Sequence, residues 1–319
     1  MRRPAPLVLL TLVSALATAA CGRREQGTDL GDAGEVDGSE EASQVFDAPP
    51  QPPDDAGLVG DGSTVAVDCP GGTQLIYVAS EERELYSFDP VQATFQSIGN
   101  IDCANGIYVN SMAVDRSGNA WVNYGDGSLW KSSTQKGGCT STNFLPGQQG
   151  VTLFGMGFST KSATSTDETL YIDDLGGGGL GMIDLDTMTL MRFGPFPGSL
   201  TNRTCELTGT GDGRLFGFFA GSSYDDASAA AVIGLDPDTE AATQQWPLAS
   251  IDTGSDWAFA FWGGDFYLFS ADKYDANDPY TTVTRFRPTD GSLVVVAQNI
   301  GFRVVGAGSS TCAPITPAQ

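Results

Sequence analysis

From position 69 onward the large apolar residues come in short runs separated by Gly, Asp, Asn and Ser, the pattern of strands joined by tight turns. One kind of run recurs with a central aromatic: Gln74-Leu-Ile-Tyr-Val-Ala-Ser80, Asn119-Ala-Trp-Val-Asn-Tyr124, Thr169-Leu-Tyr-Ile-Asp-Asp174, Arg214-Leu-Phe-Gly-Phe-Phe219 and Asp265-Phe-Tyr-Leu-Phe-Ser270. Taking Tyr77, Trp121, Tyr171, Phe216 and Tyr267 as equivalent positions gives spacings of 44, 50, 45 and 51 residues. A period of this size marks a repeat architecture.

Each aromatic run is followed by a second predicted strand (85–90, 128–133, 181–186, 231–237 and 282–288) and a third (94–99, 140–144, 189–193, 242–246 and 292–297). A fourth type, small and apolar, precedes the aromatic runs: Ser111-Met-Ala-Val-Asp115, Phe154-Gly-Met-Gly-Phe158, Glu206-Leu-Thr-Gly-Thr210 and Trp257-Ala-Phe-Ala-Phe261. Small residues there suit strands crowded around an axis. The first repeat has no such strand, but Arg303-Val-Val-Gly-Ala-Gly308 at the C-terminal end supplies one. The expectation is an all-β protein: a five-bladed β-propeller with four antiparallel strands per blade, closed by the C-terminal strand in the first blade. Radial repetition of this kind protects sheet edges.

The segment Asp115-Arg-Ser-Gly-Asn-Ala-Trp-Val122 resembles the signature of NHL and regulator-propeller repeats. The resemblance implies the fold and a turn chemistry, not an active site.

The first residues read as an address. Arg2 and Arg3 precede an apolar stretch, Leu7 to Ala20, too short to span a bilayer. Thr18-Ala-Ala-Cys21 resembles the lipobox of secreted bacterial lipoproteins, with Thr18 where a leucine is usual. It implies residues 1–20 as a signal peptide and Cys21 as the lipidated first residue. Gly22 carries no inner-membrane retention signal, so the outer membrane or cell surface is the expected address. Simple secretion by cleavage after Ala20 is the alternative. Residues 21–68 read as an acidic, Pro-rich disordered tether: after Cys21 they hold 12 acids, two bases and Pro49, Pro50, Pro52 and Pro53. As a flexible coil the tether would span about 40 Å. The propeller is assigned to residues 69–319.

Composition narrows the chemistry. The chain has 319 residues, no histidine and a formal net charge of −23. The tether accounts for −10 of this and the domain for −15, against +2 in the signal peptide. Nucleic acid is excluded as a partner, because phosphate neutralisation needs clustered Lys and Arg. Without histidine there is no Ser/His/Asp or Cys/His nucleophile pair and no imidazole metal site.

With Cys21 lipidated, five cysteines remain in an oxidising compartment. The closure scheme brings Cys69 and Cys312 to the same rim of the first blade, where a disulfide would staple the ring. Cys103 and Cys139 are the next pair by proximity, although the strand directions place them near opposite rims. Cys205 is left single, or pairs with Cys103; unpaired, it reads as a buried inert thiol.

In a propeller the loops leaving the second strand share a face with those leading into the first. That face would collect Glu81, Glu82, Asp126, Asp173, Asp174, Asp225, Asp226 and the loop Asp272-Lys-Tyr-Asp-Ala-Asn-Asp278, a ring of acids able to draw a cation or a basic partner. Calcium at Asp272, Asp275 and Asp278 is weighed against a solvated acidic loop, since the register of a calcium-hand loop is absent. Gly176 to Gly179 reads as a loop tip rather than a phosphate cradle. Tyr224, Tyr274, Tyr280, Trp257 and Trp262 could stack on a sugar, against a packing role for the tryptophans.

Two functions of different class remain. The first is a lipid-anchored, monomeric, non-catalytic binding or scaffold module that recognises a protein or glycan through its acidic loop face, with no cofactor beyond calcium. The second is a glycoside hydrolase with Glu206, Asp256 and Asp102 as its carboxylates at the funnel. A funnel plugged by Met112, Met156 and Phe259 would speak against the second.

Overall fold

The computed structural model describes residues 69–221, 230–272, 274–275 and 279–317. They form five four-stranded antiparallel sheets. From the axis outward, the first blade is β20 (Val304–Ser309), β1 (Ile76–Ser80), β2 (Glu84–Asp89) and β3 (Thr94–Asn100). The second is β4 (Val109–Val114), β5 (Asn119–Tyr124), β6 (Leu129–Ser133) and β7 (Gly137–Ser141). The third is β8 (Phe154–Thr160), β9 (Glu168–Asp174), β10 (Gly179–Asp184) and β11 (Thr189–Gly194). The fourth is β12 (Cys205–Gly209), β13 (Leu215–Phe219), β14 (Ala231–Leu235) and β15 (Ala242–Pro247), and the fifth is β16 (Asp256–Trp262), β17 (Asp265–Ala271), β18 (Thr282–Arg287) and β19 (Ser292–Ala297).

The inner strands touch in cyclic order β20, β4, β8, β12, β16 and back to β20, which closes a five-bladed β-propeller. Closure is by the C-terminal strand pairing in the first blade, with Ile76 opposite Ser309 and Val78 opposite Ala307.

Small residues on the inner strands let neighbouring backbones meet directly. A Cβ on Gly155 would lie 2.2 Å from the carbonyl oxygen of Cys205, and one on Gly209 2.2 Å from that of Phe158, so β8 and β12 approach without side chains between them. Gly306 of β20 meets the Met112 backbone of β4 in the same way. Gly155→Ala is therefore expected to force these strands apart and cost about 1–3 kcal/mol, read as a lower melting temperature.

Burial falls from the axis outward, and this decides which residues each strand carries. Every residue of β1, β13 and β14 is buried, whereas none of β3, β7 or β15 is. The repeated aromatics pack between blades, as with Trp121 against Phe158 and Tyr267 against Phe88. Met112, Met156 and Phe259 do not plug a funnel; they belong to three different clusters packed between blades.

The Asp115–Val122 segment is a turn. Asp115 accepts bonds from the Asn119 amide at 2.8 Å and Trp121 Nε1 at 2.8 Å, while Gly118 takes a left-handed φ of 78°. Asn119 adds its side-chain amide, which donates to Asp115 at 2.9 Å, so Asp, Gly, Asn and Trp all contribute to that one bend.

Several strand bounds shift by a residue or two, among them β4, which is Val109–Val114 rather than 111–115, and two shifts matter most. The outer strand of the second blade is Gly137–Ser141, not 140–144, and β10 starts at Gly179 rather than 181. The first shift bears on the disulfides. Cys69 joins Cys312, with Cα atoms 5.8 Å apart, and Cys103 joins Cys139, with Cα atoms 5.3 Å apart. The rim argument against the second pair fails because Cys139 lies within β7 and the twist of the blades sets the end of β3 on the start of β7, where Gly99 and Gly137 make close backbone contact.

Candidate functional site

The inner strands all begin at one end of the ring, and there a cavity of about 450 Å³ opens. All five blades line it: Val305 and Glu81 from the first, Tyr108 and Asn110 from the second, Leu175 from the third, Glu206 from the fourth, and Asp256 and Trp257 from the fifth. Carboxyls, an amide and two aromatic rings thus converge on one concave space, the usual make-up of a small-ligand site.

Glu206 is 5% exposed and its Oε2 accepts a bond from Ser111 Oγ at 2.6 Å. Burial pushes its carboxyl well above the usual range, and the neighbouring Asp173 adds to the rise. Asp256 is only half-buried and accepts from Ser255 Oγ at 2.7 Å. Asp102 is not part of this cavity. It pairs with Arg83 at 3.2 Å and accepts the Gly106 amide at 2.6 Å, so the three carboxylates expected of a hydrolase do not assemble.

Tyr108 is the residue that sequence reasoning missed. It is 52% exposed, and its ring lies so close over Gly125 that a Cβ there would sit 2.3 Å from Cε1. The Gly125 amide also donates to the Tyr108 carbonyl at 2.9 Å. The legible signal was an exposed-type aromatic directly before an inner strand, opposite a glycine at the end of an aromatic run.

The ring of acids is largely answered within the molecule. Glu81 is ion-paired with Arg303, and Asp126 accepts the Ser128 amide at 2.9 Å. Asp173 and Asp174 must be corrected: they end β9 rather than occupy a solvent-facing loop. Asp173 is fully buried and accepts the Cys205 amide at 2.6 Å, and Asp174 pairs with Arg192 at 3.2 Å. Burial raises the Asp173 carboxyl to about 8.

Cys205 beside it is the free cysteine among the described residues. Burial, then the nearby Asp173 and Glu206, pushes its thiol up, which suits an inert side chain rather than a nucleophile.

Asp272 and Asp275 belong to a second cavity of about 400 Å³ beside the fifth blade. Asp272 Oδ1 accepts the Tyr274 amide at 2.9 Å, and the Asp275 amide donates to the Asp272 carbonyl at 3.0 Å. Asp225, Asp226, Asp278 and Tyr224 lie outside the described residues, as do Cys21 and the whole of 1–68. Among the described residues no three His, Cys, Asp or Glu side chains are grouped to hold a metal ion, and no helix is long and apolar enough to cross a membrane. Gly176 to Gly178 lie in the turn between β9 and β10 and Gly179 opens β10, with no helix behind them. Trp257 and Trp262 are half-buried; Trp257 packs between the fourth and fifth blades while lining the funnel cavity, and Trp262 Nε1 donates to the Gln74 carbonyl at 2.7 Å.

No family model and no curated protein matches the chain. Among solved structures it is similar to a protein of unknown function from Bacteroides caccae, at 9% identity and TM-score 0.43, over 74% of this chain and 98% of that one. It is also similar to the extracellular domain of BT4673 from B. thetaiotaomicron, at 10% identity and TM-score 0.36, and spans only 28% of that chain's length while 70% of this chain is covered. A third likeness is to the Neurospora crassa Pan2 WD40 domain, at 13% identity and TM-score 0.36, over 70% of this chain and 61% of that one. The architecture itself rests on the strand pairing described above.

Proposed function

We propose that the chain is a non-catalytic binding module of the cell envelope that holds its ligand at the funnel mouth. The observation that carries this is a cavity lined by all five blades, where Tyr108 and Trp257 form part of the wall beside Asp256, Glu206 and Asn110. Such a set suits a ligand with apolar faces and hydroxyl or amine groups, as in a glycan or a peptide side chain. Catalysis is poorly served: Glu206 is bonded to Ser111, Asp102 stands apart, and the chain has no histidine to activate Cys205. In this reading Cys21 carries the lipid and residues 22–68 form the tether that sets the propeller off the membrane.

The test is a glycan and peptide array probed with the full chain, with and without calcium. A retained ligand is expected to bind at least tenfold more weakly to Asp256→Asn, and also to Gly125→Ala, which displaces the Tyr108 ring; tenfold corresponds to about 1.4 kcal/mol. Binding to nothing in either condition would sink the reading. Turnover of a glycoside that Asp256→Asn abolishes would replace it with the hydrolase.

A further inference from the structure

On one face of the fifth blade the apolar packing stops short of the end. Strand alternation puts Phe286, Thr284 and Thr282 of β18 on the same face, paired across with Phe266, Leu268 and Ser270 of β17. Leu293 and Val295 of β19 continue that face beside Phe286 and Thr284. It looks toward the fourth blade, where Phe266, Leu268 and Phe286 pack with Phe218 and Val232. Toward the funnel end the phenylalanines give way to Thr284, Thr282 and Ser270, and there the second cavity opens. Asp252, from the segment between β15 and β16, and Asp272, just after β17, also line it.

Thr284 is 6% exposed, yet its hydroxyl has no hydrogen-bond partner among the described residues, and those of Ser270 and Thr282 beside it have none either. Buried hydroxyls are normally answered within the protein. Thr134 donates to the Gly118 carbonyl at 2.8 Å, and Thr311 to Glu168 at 2.9 Å. The cavity therefore presents three hydroxyls that can each still donate and accept. An ammonium could only donate to them. A carboxylate could only accept, and Asp252 and Asp272 would repel it. Nor are acidic side chains grouped to hold a metal ion among the described residues. A neutral ligand with several hydroxyls answers the whole set, and its C–H face would meet Leu293 and Val295.

We infer that this cavity is a second binding site, and that it takes a sugar residue. The ligand hydroxyls would exchange hydrogen bonds with Ser270, Thr282 and Thr284 and donate to Asp252 and Asp272. Both carboxyls are held in place for this: Asp252 Oδ1 accepts the Gly254 amide at 2.9 Å, and Asp272 Oδ1 that of Tyr274 at 2.9 Å. The volume of about 400 Å³ lies in the range of small-ligand sites. The inference goes beyond the funnel reading, because the two cavities share no residue.

The test titrates the full chain, by saturation-transfer NMR, with the methyl glycosides of glucose, mannose and galactose in both anomeric forms. The same titration is run with 1,4-diaminobutane. At least one glycoside is expected to bind, and the diamine at least tenfold more weakly. Thr284→Val keeps the branched shape and removes the hydroxyl, and should weaken that glycoside about tenfold. Asp252→Asn, which can still accept the Gly254 amide, should do the same, so the result does not hang on one variant. Both are checked for an unaltered thermal melt. Asp256→Asn should leave the glycoside unaffected, which separates this site from the funnel. Binding of none of these glycosides, or full binding to both Thr284→Val and Asp252→Asn, would overturn the proposal. Loss confined to Asp256→Asn would overturn it too, by moving the sugar to the funnel and supporting that reading instead. Tighter binding of the diamine that Asp252→Asn abolishes would overturn it in favour of an organic cation.

Discussion

Replacing Cys69 or Cys312 by Ser should lower the melting temperature of the propeller by roughly 10–20 °C, the shift expected of about 5 kcal/mol in a domain of this size. The reasoning starts from topology. The bond spans a sequence separation of 243, nearly the whole domain, so in the unfolded chain it removes the largest loop-closure entropy available here. In the folded state it sits where ring closure depends on one pairing, β20 along β1. The Cys103–Cys139 bond closes a separation of only 36 and, by the same expression, contributes about 4 kcal/mol. Calorimetric melts of Cys69→Ser and Cys103→Ser, with the disulfide-bonded wild type as reference, should therefore rank the first as the more damaging. Equal melting of Cys69→Ser and wild type would mean that the ring holds without its staple.

The second large effect is on pH. Glu168 bridges three blades at the end of the ring opposite the funnel, accepting the Arg116 amide at 2.7 Å and Thr311 Oγ1 at 2.9 Å. Burial raises it from 4.5 to about 7, as burial raises Asp173 from 3.8 to about 8 and Glu206 well above 4.5. A carboxyl raised on folding stabilises the protein fully below its unfolded value, and that stability is lost as pH climbs through the folded value. For Glu168 alone the swing is roughly 3 kcal/mol.

The melting temperature should accordingly fall between about pH 5 and pH 8. Below that window the opposite class takes over. Asp184, held down by the Thr187 amide, and Asp212, where bonds from Arg214 and Thr210 outweigh burial, have depressed carboxyls whose stabilisation is lost as pH falls. Maximum stability near pH 5 is the expected result. Glu168→Gln and Asp173→Asn should flatten the upper limb, since neutral amides can still accept the Arg116 and Cys205 amides. A melting temperature constant from pH 5 to pH 8 in the wild type would refute the assignment.

The blade count, strand order and closing strand were legible in the sequence because they are written in short-range terms. An aromatic run recurs, a turn follows, and the residues next to the axis must be small, as Gly155 and Gly306 show. The misplaced strand was β7, where Gly137 and Gly138 look like turn residues but belong to the strand, Gly137 pairing with Ser133 and Gly138 falling at a shift in register. Cys103–Cys139 was legible as a pair of residues but not as a geometry, because blade twist is a property of whole sheets.

The site was less legible. Two adjacent aspartates at the end of an aromatic run read as a loop, yet Asp173 faces the Cys205 amide of the next blade and Asp174 faces Arg192 on the outer strand. Likewise, nothing local announces that Glu81 meets Arg303, more than two hundred residues away. Tyr108 was hidden for the same reason: its position depends on Gly125 lacking a side chain.

The Cys69–Cys312 bond also sets how the molecule carries load. The chain enters the propeller at Cys69, at the end of the ring where β20 finishes and β1 starts. A pull on the segment before Cys69 is transmitted through sulfur to the far terminus of the domain, so β20 and β1 share it and no strand is peeled from the ring in sequence. With the bond reduced, the same pull falls on residues 69–75 and unzips β1 first, turning a ring that resists tension as a unit into one that opens blade by blade.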